Sequence, residues 1–319
     1  MLLLAAALPW LLSQCSKKPP GATPALTSGD AGKIAGDKLP TPNPEPFAPS
    51  SRRLLDRSLN LPPDRLEALG DMALANQDYE TSLINFLRIL QEDPQRYDLR
   101  YKVGVIFLIN GQLEAARQEL AFVLVKHPEM LQAHEALGLV HLQEKQYPLA
   151  IEEFQLALAQ DANRPKTQYL LGIAYLESGK MDRAVLELKR AAALAPSSLA
   201  PLLAIGQAAY QMKDYTQAIA WLNRARAAAP QDQRVYYYLG MSLAALKRYD
   251  EALAAFVKAG DEAQAYNNIA VHYLGEGRYE EAAKCFQRAL DLRPVLYQEA
   301  RNNLQRALEK LRETRKNDG

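Results

Sequence analysis

The sequence predicts an all-α solenoid, about seven helix pairs closed by one further helix. Three observations predict it. A 34-residue unit recurs, seen most clearly at residues 165–198. Apolar and small residues fall at helical spacing within it: Gln168, Leu171, Gly172 and Tyr175 share one face, and Ala184, Leu188 and Ala191 another. Punctuation falls where two helices need it. Gly179 stands at a helix end that favours a left-handed residue, and Pro196 closes the unit because proline cannot continue a helix interior. A period of this length means stacked units, none of which buries its apolar face alone.

The columns run in register from Pro63. The eighth position is Gly70, Gly104, Gly138, Gly172, Gly206, Gly240 and then Ala270; the twentieth is Ser82, Ala116, Ala150, Ala184, Ala218, Ala252 and Ala282. Small side chains at both places let two helices approach closely. The seventeenth, at the turn, is bulky: Tyr79, Leu113, Tyr147, Met181, Tyr215, Tyr249 and Tyr279. Pro94, Pro128, Ala162, Pro196, Pro230 and Pro294 close the units. These columns resemble the tetratricopeptide repeat family. The resemblance implies a right-handed superhelical solenoid over residues 63–296, capped by residues 297–319. The sixth unit, residues 233–262, is four residues short and lacks its proline. Its second helix should end near Ala259-Gly260 with a tighter turn into Ala263, either as a trimmed loop or as a local change of pitch.

Composition argues against nucleic acid as a partner. Lys+Arg of 38 against Asp+Glu of 37 leaves a net charge of +1, so no basic excess is available to neutralise phosphates. Hydrophobic content of 48% with 24% charged residues fits a folded, soluble body.

Residues 1–12 are apolar but shorter than the roughly 20 residues a membrane-spanning helix needs. They read as the hydrophobic part of a secretory signal, residues 1–14. The ending Leu12-Ser13-Gln14-Cys15 resembles a bacterial lipoprotein box, which implies a lipid on Cys15. Gln14 and the lack of Lys or Arg ahead of the apolar run depart from that pattern. A cleaved signal, an uncleaved anchor and a chance apolar start are the alternatives. Ser16 is not an aspartate-type retention signal, so the resemblance implies the outer membrane, facing the periplasm. Residues 15–50, rich in Pro, Ala, Gly, Thr and Ser, read as a disordered tether, with a Pro-rich recognition segment as the other reading. In residues 51–62, Arg52, Arg53, Leu54, Leu55 and Leu59 suggest a short helix leading into the first repeat. At the other end Tyr297, Ala300, Leu304, Leu308 and Leu311 form one stripe on a capping helix, or on a membrane-surface helix.

Candidate chemistry is sparse. His134 and His141 are seven apart on one helix face and could share a metal, but no third ligand has suitable spacing and packing explains both. Cys285 falls in the second helix of the last unit and has no partner for an intrachain disulfide once Cys15 is lipidated. No nucleophile–base motif and no glycine-rich phosphate loop is present, so neither a catalytic site nor a cofactor is expected.

The informative surface is the inner one. In the family it resembles, the first helix of each unit lines a concave groove through its second, fifth, sixth, ninth, twelfth and thirteenth positions. Here these columns place Tyr101, Leu139, Tyr169, Ile173, Tyr210, Tyr237, Tyr238, Met241 and Asn268, a tyrosine-bearing apolar floor with a polar rim. Tyr101, Tyr169 and Tyr237 recur in every second unit and should be open to the groove. Positions nine and twelve either join that floor or pack neighbouring first helices together. The Lys/Asn/Arg set by which some co-chaperones of this family grip a C-terminal carboxylate is absent; Asn268 stands at position six without its basic partners. The sequence therefore reads as a non-catalytic scaffold or assembly factor in the bacterial envelope, holding a partner protein or peptide in its groove. A cytoplasmic co-chaperone or adaptor, and an accessory to a glycan-processing or export system, are the alternatives.

Overall fold

The computed structural model describes residues 61–293 and 298–317, which hold fifteen α-helices and no strand. Cys15, the Pro-rich stretch, the lead-in before Leu61, and Pro294 and Tyr297 lie outside the described residues. The chain divides into two compact units, meeting at Asp161 and Ala162. That link carries alanine where Pro94, Pro128, Pro196 and Pro230 close the others.

The first unit contains three helix pairs: α1 (Pro63–Ala75) with α2 (Tyr79–Glu92), α3 (Tyr97–Ile109) with α4 (Leu113–Lys126), and α5 (Leu131–Gln143) with α6 (Tyr147–Gln160). The second contains four pairs and a cap: α7 (Pro165–Glu177) with α8 (Met181–Leu194), α9 (Leu199–Gln211) with α10 (Tyr215–Ala228), α11 (Gln233–Ala245) with α12 (Tyr249–Ala259), α13 (Glu262–Gly275) with α14 (Tyr279–Leu292), and α15 (Gln298–Asn317). Within each unit successive first helices touch one another, while each second helix packs chiefly on the first helices beside it in sequence. The first helices therefore form the inner side. All-α repeat architecture is as the sequence predicts.

Each pair turns in the same way. Three residues connect its helices, and the middle one has positive φ: Gln77, Gly111, Lys145, Gly179, Lys213, Lys247 and Gly277. At Gly179 the left-handed residue lets its own N–H donate to the Leu176 carbonyl and the Lys180 N–H to the Tyr175 carbonyl, both at 2.9 Å, which satisfies two carbonyls the helix end leaves free. The bulky seventeenth residue then opens every second helix. Where Asp precedes it, as at Asp78 and Asp214, the carboxylate accepts from a first-turn N–H at 3.1 Å.

Close approach explains the small columns. A Cβ on Gly138 would stand 2.7 Å from Cε1 of Phe154, and one on Gly172 would stand 2.7 Å from Cγ of Leu188. The second helix thus drives a large side chain against the bare backbone of the first. Phe86, Phe154 and Phe256 are fully buried in this role, and Phe286 is buried with Ala270 in the glycine's place. Ala184 is completely buried on the facing side.

The sixth pair is shortened as expected. Helix α12 has 11 residues against 14 in α10 and α14, and ends at Ala259. Asp261 then caps α13 by accepting from the Gln264 N–H at 2.9 Å. The capping helix departs from its expected stripe in one respect. Ala300 and Ala307 are fully buried against Phe286 and Ala289 and Leu304 packs beside them, but Leu308 is exposed. Ala300 and Ala307, with Leu304 beside them, thus face the last pair.

Candidate functional site

The fourth residue of the first helix builds a polar joint in four of the repeats. Arg100 donates through Nε to the Pro94 carbonyl at 2.8 Å and through Nη1 to Glu119 Oε2 at 2.7 Å. One repeat on, His134 Nε2 lies 2.8 Å from the Pro128 carbonyl and Nδ1 lies 2.6 Å from Glu153 Oε2. Gln168 donates to Glu187 in the same way. Tyr236 keeps half of the joint, donating to the Pro230 carbonyl at 2.9 Å. His141 is engaged separately, its Nδ1 being 2.8 Å from Gln146 Oε1. Both histidines are thus held by protein groups, and among the described residues no group of three or more His, Cys, Asp or Glu is placed to hold a metal.

In the first unit the inner faces of α3 and α5 are closed. Ten consecutive residues of α3, Leu99 to Leu108, are buried, and so are ten of α5, Ala133 to Leu142. Burial of that length covers a helix on every side. Tyr101 is 3% exposed and Leu139 2%, so neither is open to a partner as the sequence suggested. Their columns serve here as packing between first helices. The charged inner residues pair with one another: Lys102 Nζ with Asp71 Oδ1 at 2.6 Å, and Arg96 Nη2 with Glu67 at 2.7 Å and Asp98 at 2.8 Å. Burial would raise the Asp98 pKa, but the hydrogen bonds and charge of Arg96 outweigh it and hold the carboxyl below its ordinary value.

The second unit is different. Ile173 is buried and belongs to the core, a further correction to the expected groove. Tyr169, Tyr210, Tyr238, Met241 and Asn268 are half-buried, and Tyr237 is 39% exposed. The rings of Tyr210 and Tyr238 are 6.4 Å apart and those of Tyr237 and Tyr238 5.4 Å apart, both pairs edge-on. Tyr215 adds a fourth ring 5.5 Å from Tyr210. Burial, then the neighbouring tyrosines, raise the Tyr210 pKa. Tyr169 lies within electrostatic reach of Arg234, whose charge opposes the upward push of burial on its phenol. Arg234 itself donates to Asp232 at 2.6 Å. The structure therefore gathers Tyr210, Tyr237 and Tyr238 into one open cluster beside Met241.

The Tetratricopeptide repeat family profile matches residues 67–121, 104–165, 169–233 and 203–267. Further profiles of the same description match residues 141–191 and 263–294. Together they cover well over half of the chain. The chain belongs to the tetratricopeptide repeat family. Solved structures agree on the fold. The C-terminal part of a TPR repeat-containing protein from Cytophaga hutchinsonii matches with a TM-score of 0.61 at 18% identity, over 74% of this chain and 98% of that one. A tetratricopeptide repeat protein from Parabacteroides merdae matches with a TM-score of 0.55 at 15% identity, over 77% and 98%. PilF of Pseudomonas aeruginosa matches with a TM-score of 0.50 at 22% identity, over 67% and 97%. No curated protein sequence matches the chain.

Within this tetratricopeptide array, sequence reasoning missed two contributors to the open face. Val271, at position nine of the seventh repeat, is 45% exposed. Tyr215 was read only as a turn residue, yet it buttresses Tyr210. Column position could have found Val271. Nothing in the sequence alone signals that Tyr215 reaches back across its turn.

Proposed function

We propose that this tetratricopeptide protein is a non-catalytic scaffold that holds an extended segment of a partner protein on the inner face of its second unit. The observation that carries the reading is the cluster of Tyr210, Tyr237 and Tyr238, left open beside Met241 while the same columns of α3 and α5 are packed shut. Rings of this kind offer apolar area with a hydroxyl tip, the pairing that binding surfaces favour.

The lipoprotein-like ending at Cys15 supports a lipid-anchored place in a bacterial envelope, outer membrane facing periplasm, for this scaffold. Among the described residues no helix is long and apolar enough to cross a membrane. A photo-crosslinking residue at position 237 in intact cells, with the same residue at position 101 as control, tests the binding reading. Capture of one defined protein at 237 and none at 101 is expected; equal capture at both, or none at 237, overturns it.

A further inference from the structure

His134 is placed where only one protonation state satisfies its surroundings. A backbone carbonyl can only accept, so Nε2, 2.8 Å from the Pro128 oxygen, must carry a proton. The other neighbour, 2.6 Å from Nδ1, is the Glu153 carboxylate. With the carboxylate ionised, Nδ1 must carry a proton as well. The ring is then an imidazolium donating both ways, and it is buried. The two acceptors belong to different places. Glu153 is on α6 of the same repeat, and Pro128 is in the link that ends the repeat before. One side chain ties together three segments.

The same slot one repeat earlier shows what the tie does. Arg100 makes both bonds there with a group that stays charged at every accessible pH. Histidine makes them with a group that changes charge near neutrality. A neutral ring has one N–H. It can keep Pro128 or Glu153, but not both.

We propose that His134 makes the joint between the second and third repeats proton-operated: the charged ring holds both acceptors, and the neutral ring lets one of them go. The groups around it leave Glu153 as the charge that acts on it. On the link, His127 is paired with Glu129 at 3.1 Å. On α3 and α4, Arg100 and Glu119 are paired with each other, and Lys126 points to solvent. Glu135, next on α5, is buried and has an interaction of its own. Burial opposes the charged ring, but the hydrogen bonds to Glu153 and Pro128 and the Glu153 charge outweigh it, and the His134 pKa stands above 6.5. A raised pKa fixes the sign. The contribution is complete below the unfolded value and is lost as pH rises through the higher folded one.

Hydrogen exchange of the full-length chain, corrected for intrinsic rates, tests this between pH 6 and pH 8.5. Amides of α5, α6 and the 127–131 link should open about tenfold more often at the higher pH, the loss of one hydrogen bond to a charged group. Amides of α3 and α4, held by Arg100, should not change. His134→Arg should abolish the dependence. Uniform behaviour across both repeats, or the same dependence in His134→Arg, overturns the proposal. Should that variant fail to fold, the ring's own titration followed by NMR decides: a midpoint at or below 6.5 is incompatible with a doubly donating ring.

Discussion

Arg100 and His134 occupy the same place in successive repeats and make the same two bonds, each to the carbonyl of the proline closing the previous repeat and each to a glutamate nineteen residues ahead. Arg100 and Glu119 are both buried, and burial decides what the loss of their pairing costs. Arg100→Leu leaves Glu119 charged without a partner and should lower stability by about 3–5 kcal/mol. Arg100→Leu with Glu119→Leu should recover most of that. Urea denaturation of both variants measures the difference, and equal losses would show that the two residues do not act as a pair.

Close packing gives a second prediction. Gly138→Ala places a methyl 2.7 Å from Phe154, and Ala184→Leu fills a fully buried site. Each should cost about 1–3 kcal/mol through overpacking, read as an earlier thermal transition by circular dichroism.

Two of the three tyrosines at the fifth position should separate cleanly. Tyr101→Ala removes a buried ring and should cost about 3 kcal/mol or more of stability. Tyr237→Ala removes an exposed one and should change stability by no more than about 0.5–1 kcal/mol. Partner capture should respond in the reverse order, falling only with Tyr237.

Asp98 predicts an acid limb. Its pKa is held below 3.8 by Arg96, so its contribution is present above that value and fades as pH falls through the lower folded one. Asp98→Asn should flatten the acid side of a stability–pH curve and leave the alkaline side unchanged.

Lipidation is tested at Cys15. Cys15→Ser should release the protein from membranes, and mass spectrometry of the natural protein should show an acylated cysteine at its N-terminus. An unmodified Cys15 behind an intact leader overturns that part of the proposed function.

The fold was legible because each repeat states its packing in residue size. Gly138 and Ala150 tell of close approach without any knowledge of what lies opposite. The inner face was less legible. Tyr101, Tyr169 and Tyr237 share a column, but one is buried, one half-buried and one exposed. Column position fixes the direction of a side chain from its helix; it does not say how tightly the next first helix closes over it. Lys102 and Asp71 show the same limit. Their pairing spans thirty-one residues, and no local pattern announces it.

The slot held by Arg100, His134 and Gln168 passes to Leu202 in the fifth repeat, and nineteen residues on stands Trp221, where the second to fourth repeats carry glutamate. Leu202 is buried to 1% exposure, and Trp221 lies under Arg224 at 4.3 Å. The early joints are therefore governed by charge and the fifth by exclusion of water. Attraction of that second kind weakens on cooling, whereas a charged hydrogen bond does not depend on it. Near freezing, the fifth repeat should be the first to loosen, while the second holds; one chain would thus carry separate weaknesses, to alkali at His134 and to cold at Leu202.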